Sequence, residues 1–123
     1  MSSGELGKVY ADGELIVHEG EVGDCMYVIQ EGQAEAFVGE GANEIRLNIL
    51  DPGDFFGEMA LFDRDDRSAS VRALGAARVL TVDKKNFMRR VHEDPALAFR
   101  LVETMSLRIR NLLDKLSELE SKQ

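Results

Sequence analysis

Residues 57–73 read Gly-Glu-Met-Ala-Leu-Phe-Asp-Arg-Asp-Asp-Arg-Ser-Ala-Ser-Val-Arg-Ala, and the analysis of fold and function starts from this stretch. The residues after Gly57 can form one helical turn, which leaves backbone N–H groups unpaired. Because glycine has no side chain, an anion can approach those groups closely. Nine residues after Glu58, Arg67 supplies a planar fork of donors that matches two phosphate oxygens, and Ser68 adds a hydroxyl. The stretch therefore predicts a small phosphate site.

Glu58 makes a sugar phosphate a better candidate than phosphate alone. Its carboxylate is repelled by a phosphate but can accept hydrogen bonds from sugar hydroxyls. On local chemistry alone, other interpretations stay open. Arg67 could form a surface ion pair with Asp65 or Asp66, and Glu58 could be a solvent-facing charge at the start of a helix.

The residues before position 84 read as strands and turns. Glycines separate short runs rich in Val, Ile, Leu, Phe and Tyr, and tight reversals such as Asp51-Pro52-Gly53-Asp54 lie between them. Evenly spaced short strands with turn signals favour a sandwich, a jelly roll or a small barrel. The predicted strands are 14–17, 26–30, 34–38, 44–50, 68–73 and 78–83.

Two helices are predicted after residue 83. Residues 84–93 have helical spacing of their apolar positions. Asp94-Pro95 then reads as an N-cap followed by proline in the first turn. Since no Gly or Pro follows, the second helix is expected to run over 95–121.

The long helix carries a heptad pattern typical of parallel helix pairs. We expect a homodimer through this seam. Off the seam, Leu101, Leu107 and Leu113 could face the strands of the same chain. The alternative to a dimer is a single apolar face that packs entirely on those strands. The seam residues are Val102, Met105, Ile109, Leu112, Leu116 and Leu119.

Composition narrows the classes of function. The 123 residues suit one domain, and 15 basic against 23 acidic residues give a net charge of −8, so a nucleic-acid partner is not expected. No apolar run approaches the roughly 18–20 residues of a membrane span, and the N-terminus has no signal pattern, so a cytoplasmic protein is expected. From Tyr10 to Asp63 there are thirteen acidic residues and one basic residue, Arg46. This excess of acidic residues indicates a solvated acidic surface. An anion must then be held by local donors, because long-range attraction is absent.

Metal and catalytic sites are not expected. The two histidines, His18 and His92, lie far apart, and the single Cys25 reads as a small buried hydrophobe. No nucleophile and base pair stands out, so the chain does not read as an enzyme.

The motifs taken in order resemble the cyclic nucleotide-binding domain family over about residues 9–120. The resemblance implies a mainly β single domain over 1–123. Its parts are an eight-stranded jelly-roll β-barrel (a double-stranded β-helix) over about 9–83, a short phosphate-cassette helix and the two C-terminal helices. The segments that carry it are 13–16, 19–24, 26–29, 32–34, 53–61 and 67–71.

The family's site residues are matched one by one. Arg67 is similar to the arginine that pairs with the cyclic phosphate, and Glu58, with Gly57 alongside, to the carboxylate that accepts the ribose 2′-hydroxyl. Met59 and Ala60 match residues whose backbone N–H groups reach the ligand. The resemblance also implies that the pair after the arginine assists at the phosphate; here this pair is Ser68 and Ala69.

The position over the base departs from the family. The bacterial activators place a Thr-Ser pair there, whereas this sequence has Leu112-Leu113, preceded by Arg110 and Asn111. These four residues are the candidates for a lid over the base. A hydroxyl such as that of Ser68 occurs both in cGMP-preferring members and in cAMP-binding bacterial members.

The resemblance implies a regulatory module that binds cAMP more readily than cGMP and couples binding to helix and dimer rearrangement. No cofactor and no metal are implied, and the effector is unknown. Two alternatives stay open. One is a dimerising scaffold that no longer binds nucleotide, and the other is a sensor domain excised from a larger regulator or channel.

Overall fold

The computed structural model of the chain describes residues 6–62 and 66–121. Within them lie six strands, three α-helices and one 3-10 turn, Gly41–Asn43. The strands are β1 (Lys8–Tyr10), β2 (Leu15–Val17), β3 (Cys25–Val38), β4 (Ile45–Leu50), β5 (Phe55–Phe56) and β6 (Ser70–Asp83). The helices are α1 (Met59–Phe62), α2 (Lys84–Glu93) and α3 (Ala96–Ser121).

All six strands belong to one antiparallel sheet with the order β1-β6-β3-β4, in which β2 also pairs with β6 and β5 with β3. The fold is mainly β with C-terminal helices, as the sequence predicts. The expected count of eight strands is not confirmed, because the described residues form six.

The lower count has a physical reason in the two 14-residue strands, β3 and β6. Each covers two runs that the sequence predicts as separate strands. Gly32 lies between the two runs of β3 and Gly75 between the two runs of β6, with φ of 79° and 69°, values that favour glycine. The β3–β6 register shifts at the same point, between Ile29 and Gln33, so the ladder bends there but continues.

The core lies on one face of the sheet. Ala34 and Ala36 of β3 are buried in it, and since successive strand residues point to opposite faces, Glu35 between them points away. The buried core residues are Tyr10, Ile29, Ala34, Ala36, Leu50, Phe56, Val71, Ala73, Ala77 and Val79.

An ion-pair network covers the opposite face across three strands. Glu35 of β3 is only 2% exposed and forms ion pairs with Arg72 of β6 and Arg46 of β4. Arg72 also pairs with Glu44, and its guanidinium carbon lies 4.2 Å from the centroid of the Phe37 ring. Burial by itself raises the pKa of Glu35, but the hydrogen bonds from Arg72 and Arg46 outweigh it and bring that pKa below its usual value. The carboxylate is therefore held in its charged form.

The chain divides into two compact units, with the boundary between Asn86 and Phe87. Helix α2 has the predicted bounds, and α3 begins at Ala96, one residue later than predicted.

Off the seam, Leu101 is buried, whereas Leu107 and Leu113 are exposed. Among the residues that the structure describes, no helix is long and apolar enough to span a membrane. Five seam residues are exposed, Val102, Ile109, Leu112, Leu116 and Leu119, and Met105 is half-buried.

Replacing Glu35 by glutamine is expected to lower the free energy of unfolding at pH 7 by about 1–3 kcal/mol, because two arginines lose a buried acceptor. The pKa of Glu35 is lower in the folded state, so its contribution is present at neutral pH and is lost as the pH falls below about 4.5. The difference between wild type and Glu35→Gln should therefore shrink as the pH falls. Urea unfolding followed by circular dichroism between pH 7 and pH 3 measures this difference.

Glu31→Gln is the matched control. Glu31 is exposed and lies 3.6 Å from Arg78, so its replacement should change the unfolding free energy by less than about 0.5 kcal/mol. Equal losses in the two variants at pH 7 would contradict the role given to Glu35.

Candidate functional site

The short strand β5 positions the start of the predicted phosphate segment. Tyr27 pairs with Phe56 and Val28 with Phe55, and the rings of Tyr27 and Phe56 stack with their centroids 5.1 Å apart. Gly57 follows with a φ of 75°, which favours glycine, and the chain then turns into α1. This pairing brings Gly57 close to the beginning of β3.

The side chain of Arg67 joins these two segments. Its Nη1 donates to the carbonyl oxygen of Gly57 at 3.1 Å, and its Nη2 donates to the carbonyl oxygen of Cys25 at 2.8 Å. The guanidinium carbon lies 5.6 Å from the centroid of the Tyr27 ring, within the range of a cation–π contact. Two main-chain carbonyls thus occupy two of the five guanidinium donors.

The main chain of Arg67 is held separately by the turn before β3. Its N–H donates to the Glu21 carbonyl at 2.7 Å, and its own carbonyl accepts from the Gly20 N–H at 2.9 Å. One residue earlier, Asp66 forms an isolated bridge with Val22. The arginine is therefore fixed at both its backbone and its side-chain end.

The other predicted residues of the segment differ in how far they are exposed. Glu58 is buried, with 8% of its surface exposed. Met59 is exposed and Ala60 is buried, and the Ala60 N–H donates to the Gly57 carbonyl at 3.2 Å. Ser68 is exposed and therefore accessible to a solute.

Ala69, the last residue of the predicted phosphate set, is half-buried. The four predicted base-lid residues belong to the second unit, where each is exposed on α3. They are Arg110, Asn111, Leu112 and Leu113.

Two residues at the arginine were not predicted as parts of the site. The pKa of Tyr27 is raised, mainly by burial and then by a hydrogen bond with the Cys25 thiol, so its hydroxyl stays protonated. The Cys25 thiol is half-buried and lies 3.9 Å from Nη2 of Arg67. Cys25 contributes its main-chain carbonyl, a role that the side-chain type does not reveal.

The charged groups described in this segment include the guanidinium of Arg67, which two main-chain carbonyls accept from, and the buried carboxyl group of Glu58. Across residues 6–62 and 66–121, no group of three or more His, Cys, Asp or Glu side chains could hold a metal ion. A guanidinium can donate to phosphate oxygens, and a carboxylate can accept from a hydroxyl. The segment contains one group of each kind, Arg67 and Glu58.

The family is established by sequence. A family model described as the cyclic nucleotide-binding domain matches residues 7–94. The chain therefore belongs to the cyclic nucleotide-binding domain family.

Individual relatives are regulatory proteins. The cAMP-activated global transcriptional regulator CRP of Salmonella typhimurium is 31% identical over 112 residues, covering 89% of this chain and 53% of that protein. A cAMP-dependent protein kinase regulatory subunit of Emericella nidulans is 43% identical over 77 residues, covering 63% of this chain and 18% of that protein. The crystal structure of the Thermus thermophilus catabolite activator protein matches with a TM-score of 0.82 and 29% identity, covering 92% of this chain and 54% of that one.

This chain spans about half the length of the two bacterial proteins and less than a fifth of the kinase subunit. The sequence-based exclusion of nucleic acid is not supported, because one relative is a transcriptional regulator. The net charge of −8, on which that exclusion rested, describes these 123 residues alone.

Proposed function

We propose that this chain is a regulatory module that binds a cyclic nucleotide, cAMP in preference to cGMP, and that it is not an enzyme. The observation that carries the proposal is the guanidinium of Arg67, bonded to the Gly57 carbonyl next to the buried Glu58. The proposed ligand-binding residues are Gly57, Glu58, Met59, Ala60, Arg67, Ser68 and Ala69.

The cyclic phosphate is assigned to Arg67. Two of the five guanidinium donors go to carbonyls, which leaves donors for phosphate oxygens in the same plane. The Ser68 hydroxyl is exposed beside the arginine and can donate as well. With a net charge of −8, the chain offers an anion no general attraction, so these directed donors supply the affinity.

The ribose is assigned to Glu58. A carboxyl group that is 8% exposed is stabilised by donors, and the free 2′-hydroxyl of a cyclic nucleotide is such a donor. An inorganic phosphate lacks that hydroxyl. A site that contains both Glu58 and Arg67 thus favours a nucleotide over a simple anion.

The preference for cAMP rests on the relatives, two of which carry cAMP in their names. For the base itself, the proposed lid is Arg110, Asn111, Leu112 and Leu113. Two leucines offer an apolar surface to a purine ring, whereas Arg110 and Asn111 offer polar groups.

Arg67→Ala is expected to weaken cAMP binding by at least tenfold, because removing one partner of a buried charge pair costs about 2–5 kcal/mol. Calorimetric titration with cAMP and cGMP side by side measures both the loss and the preference for a base. Arg100→Ala is the matched control, since Arg100 forms an exposed ion pair with Asp94 at 3.2 Å. An isotherm for Arg67→Ala identical to that of wild type would sink the assignment.

We further propose a homodimer through the α3 seam, of which five residues are exposed and apolar. In a parallel pair, Lys115 beside the seam faces Glu120 of the second copy, which is attractive. In an antiparallel pair, Lys115 would instead face Arg108 of the second copy, which is repulsive. The charges beside the seam therefore favour the parallel arrangement.

Lys115→Glu is expected to weaken the dimer roughly three- to tenfold, because two exposed pairs turn from attraction to repulsion. The double variant Lys115→Glu/Glu120→Lys should restore it. Analytical ultracentrifugation across micromolar concentrations measures the dissociation constant. A wild-type monomer throughout that range would contradict the dimer, and a double variant as weak as the single one would contradict the parallel pairing.

Ligand binding is proposed to be coupled to the C-terminal helices and hence to the dimer. Such coupling is typically about 1–3 kcal/mol and requires that the ligand prefer one helix arrangement. We expect cAMP to change hydrogen exchange over residues 84–120, measured by mass spectrometry. Equal protection with and without cAMP, at a concentration that saturates the site, would argue against coupling.

The effector is unknown, and it depends on whether this chain belongs to a larger protein. The chain spans about half the length of the bacterial relatives, and both the sensor part of a larger regulator and a self-sufficient unit stay open. Intact mass of the protein isolated from its natural source would decide between the two.

A further inference from the structure

Gly23 stands out because the side chain of Arg67 occupies the space in which a side chain of Gly23 would lie. Gly23 is buried in the turn before β3. A Cβ added to it would lie within 3.0 Å of Cζ, Nε and Nη2 of Arg67, closer than Cβ atoms come to other atoms in folded proteins. Substitution at Gly23 therefore affects the guanidinium directly.

The requirement at Gly23 is for space and not for backbone conformation. Gly20 and Gly57, on either side of the same arginine, have φ of 89° and 75°, where any side chain is strained. Gly23 lies outside that left-handed region, so the strain that opposes a side chain at Gly20 and Gly57 is absent there. The obstacle to alanine is the far end of a flexible side chain, which can move without disturbing the strands.

We infer that Gly23 is a positioning residue for the ligand: its missing side chain provides the space that places the Arg67 guanidinium between the carbonyls of Gly57 and Cys25. This inference rests on the proposed function, in which Arg67 binds the cyclic phosphate. The two carbonyl bonds measure 3.1 and 2.8 Å, within the normal hydrogen-bond range, so a guanidinium pushed out of this space loses them. A methyl group at position 23 would then weaken nucleotide binding while the fold stays intact.

The experiment is a double-mutant cycle in the full chain. Calorimetric titration with cAMP compares wild type, Gly23→Ala, Arg67→Ala and the double variant. Gly23→Ala is expected to weaken binding by tenfold or more, with a melting temperature no lower than that of Arg67→Ala, which loses the same two carbonyl bonds. In the Arg67→Ala background, the same substitution is expected to cost nothing further, because the side chain it displaces is gone.

Gly75→Ala is the matched control with the opposite signature. Gly75 has a φ of 69°, and nothing lies within 4 Å of an added Cβ. Alanine there strains the backbone, so the melting temperature should fall while the affinity for cAMP stays that of wild type.

A second readout needs no ligand. The Nε–H resonance of Arg67, assigned by its loss in Arg67→Ala, is expected to shift in Gly23→Ala and to stay in place in Gly75→Ala. The inference is overturned by an unshifted resonance, by wild-type affinity in Gly23→Ala, or by a loss of affinity or stability that persists in the Arg67→Ala background. If wild type binds neither cAMP nor cGMP, the proposed function fails, and the resonance alone decides whether Gly23 places the arginine.

Discussion

The antiparallel pairing of β3 with β6, bent midway, is the constraint on which the site depends. In this register Phe37 lies opposite Ser70, while Cys25 lies at the other end of β3. A straight strand would separate Cys25 from Phe37 by about 40 Å at about 3.3 Å per residue. Arg67, three residues before Ser70, nevertheless donates to the Cys25 carbonyl. The sheet must therefore curl until its ends meet, and the left-handed Gly32 at the register shift provides the bend.

This closure explains why the site is built largely from main chain. Strand ends and turns that meet across a curled sheet present carbonyl and N–H groups to one another. Arg67 bonds to main chain at both of its ends: its own carbonyl accepts from the Gly20 N–H, and its guanidinium donates to the Gly57 carbonyl. Gly23 completes the arrangement by leaving room where the arginine passes. The ion-pair network at Glu35 holds the outer face of the same strands together.

Prediction from sequence succeeded where a residue type carries its own signal. The turn after Gly57, strands β2, β3, β4 and β6 and both C-terminal helices follow from glycine placement, periodicity and a capping Asp-Pro pair. The short strands β1 and β5 were not among the predicted runs. Prediction failed where the partner is a backbone atom or a residue distant in sequence. The sequence predicts a small buried hydrophobe at Cys25, because the residue type does not indicate that its main-chain carbonyl accepts from Arg67. The sequence places Glu35 on a predicted solvated acidic surface, since only the β3–β6 pairing shows that Arg72 lies opposite Glu35.

The two carbonyls at Arg67 also bear on what happens when the site is empty. An arginine whose guanidinium is half-buried without acceptors would either recruit ambient anions or pull the surrounding loops toward a carboxylate. Here the carbonyls of Gly57 and Cys25 supply acceptors that are uncharged and permanently present. Without a ligand, these acceptors hold the guanidinium in one position, while its other donors stay available to a phosphate. The donor proposed for the phosphate is thus ordered beforehand, so that binding does not include the entropic cost of ordering this side chain.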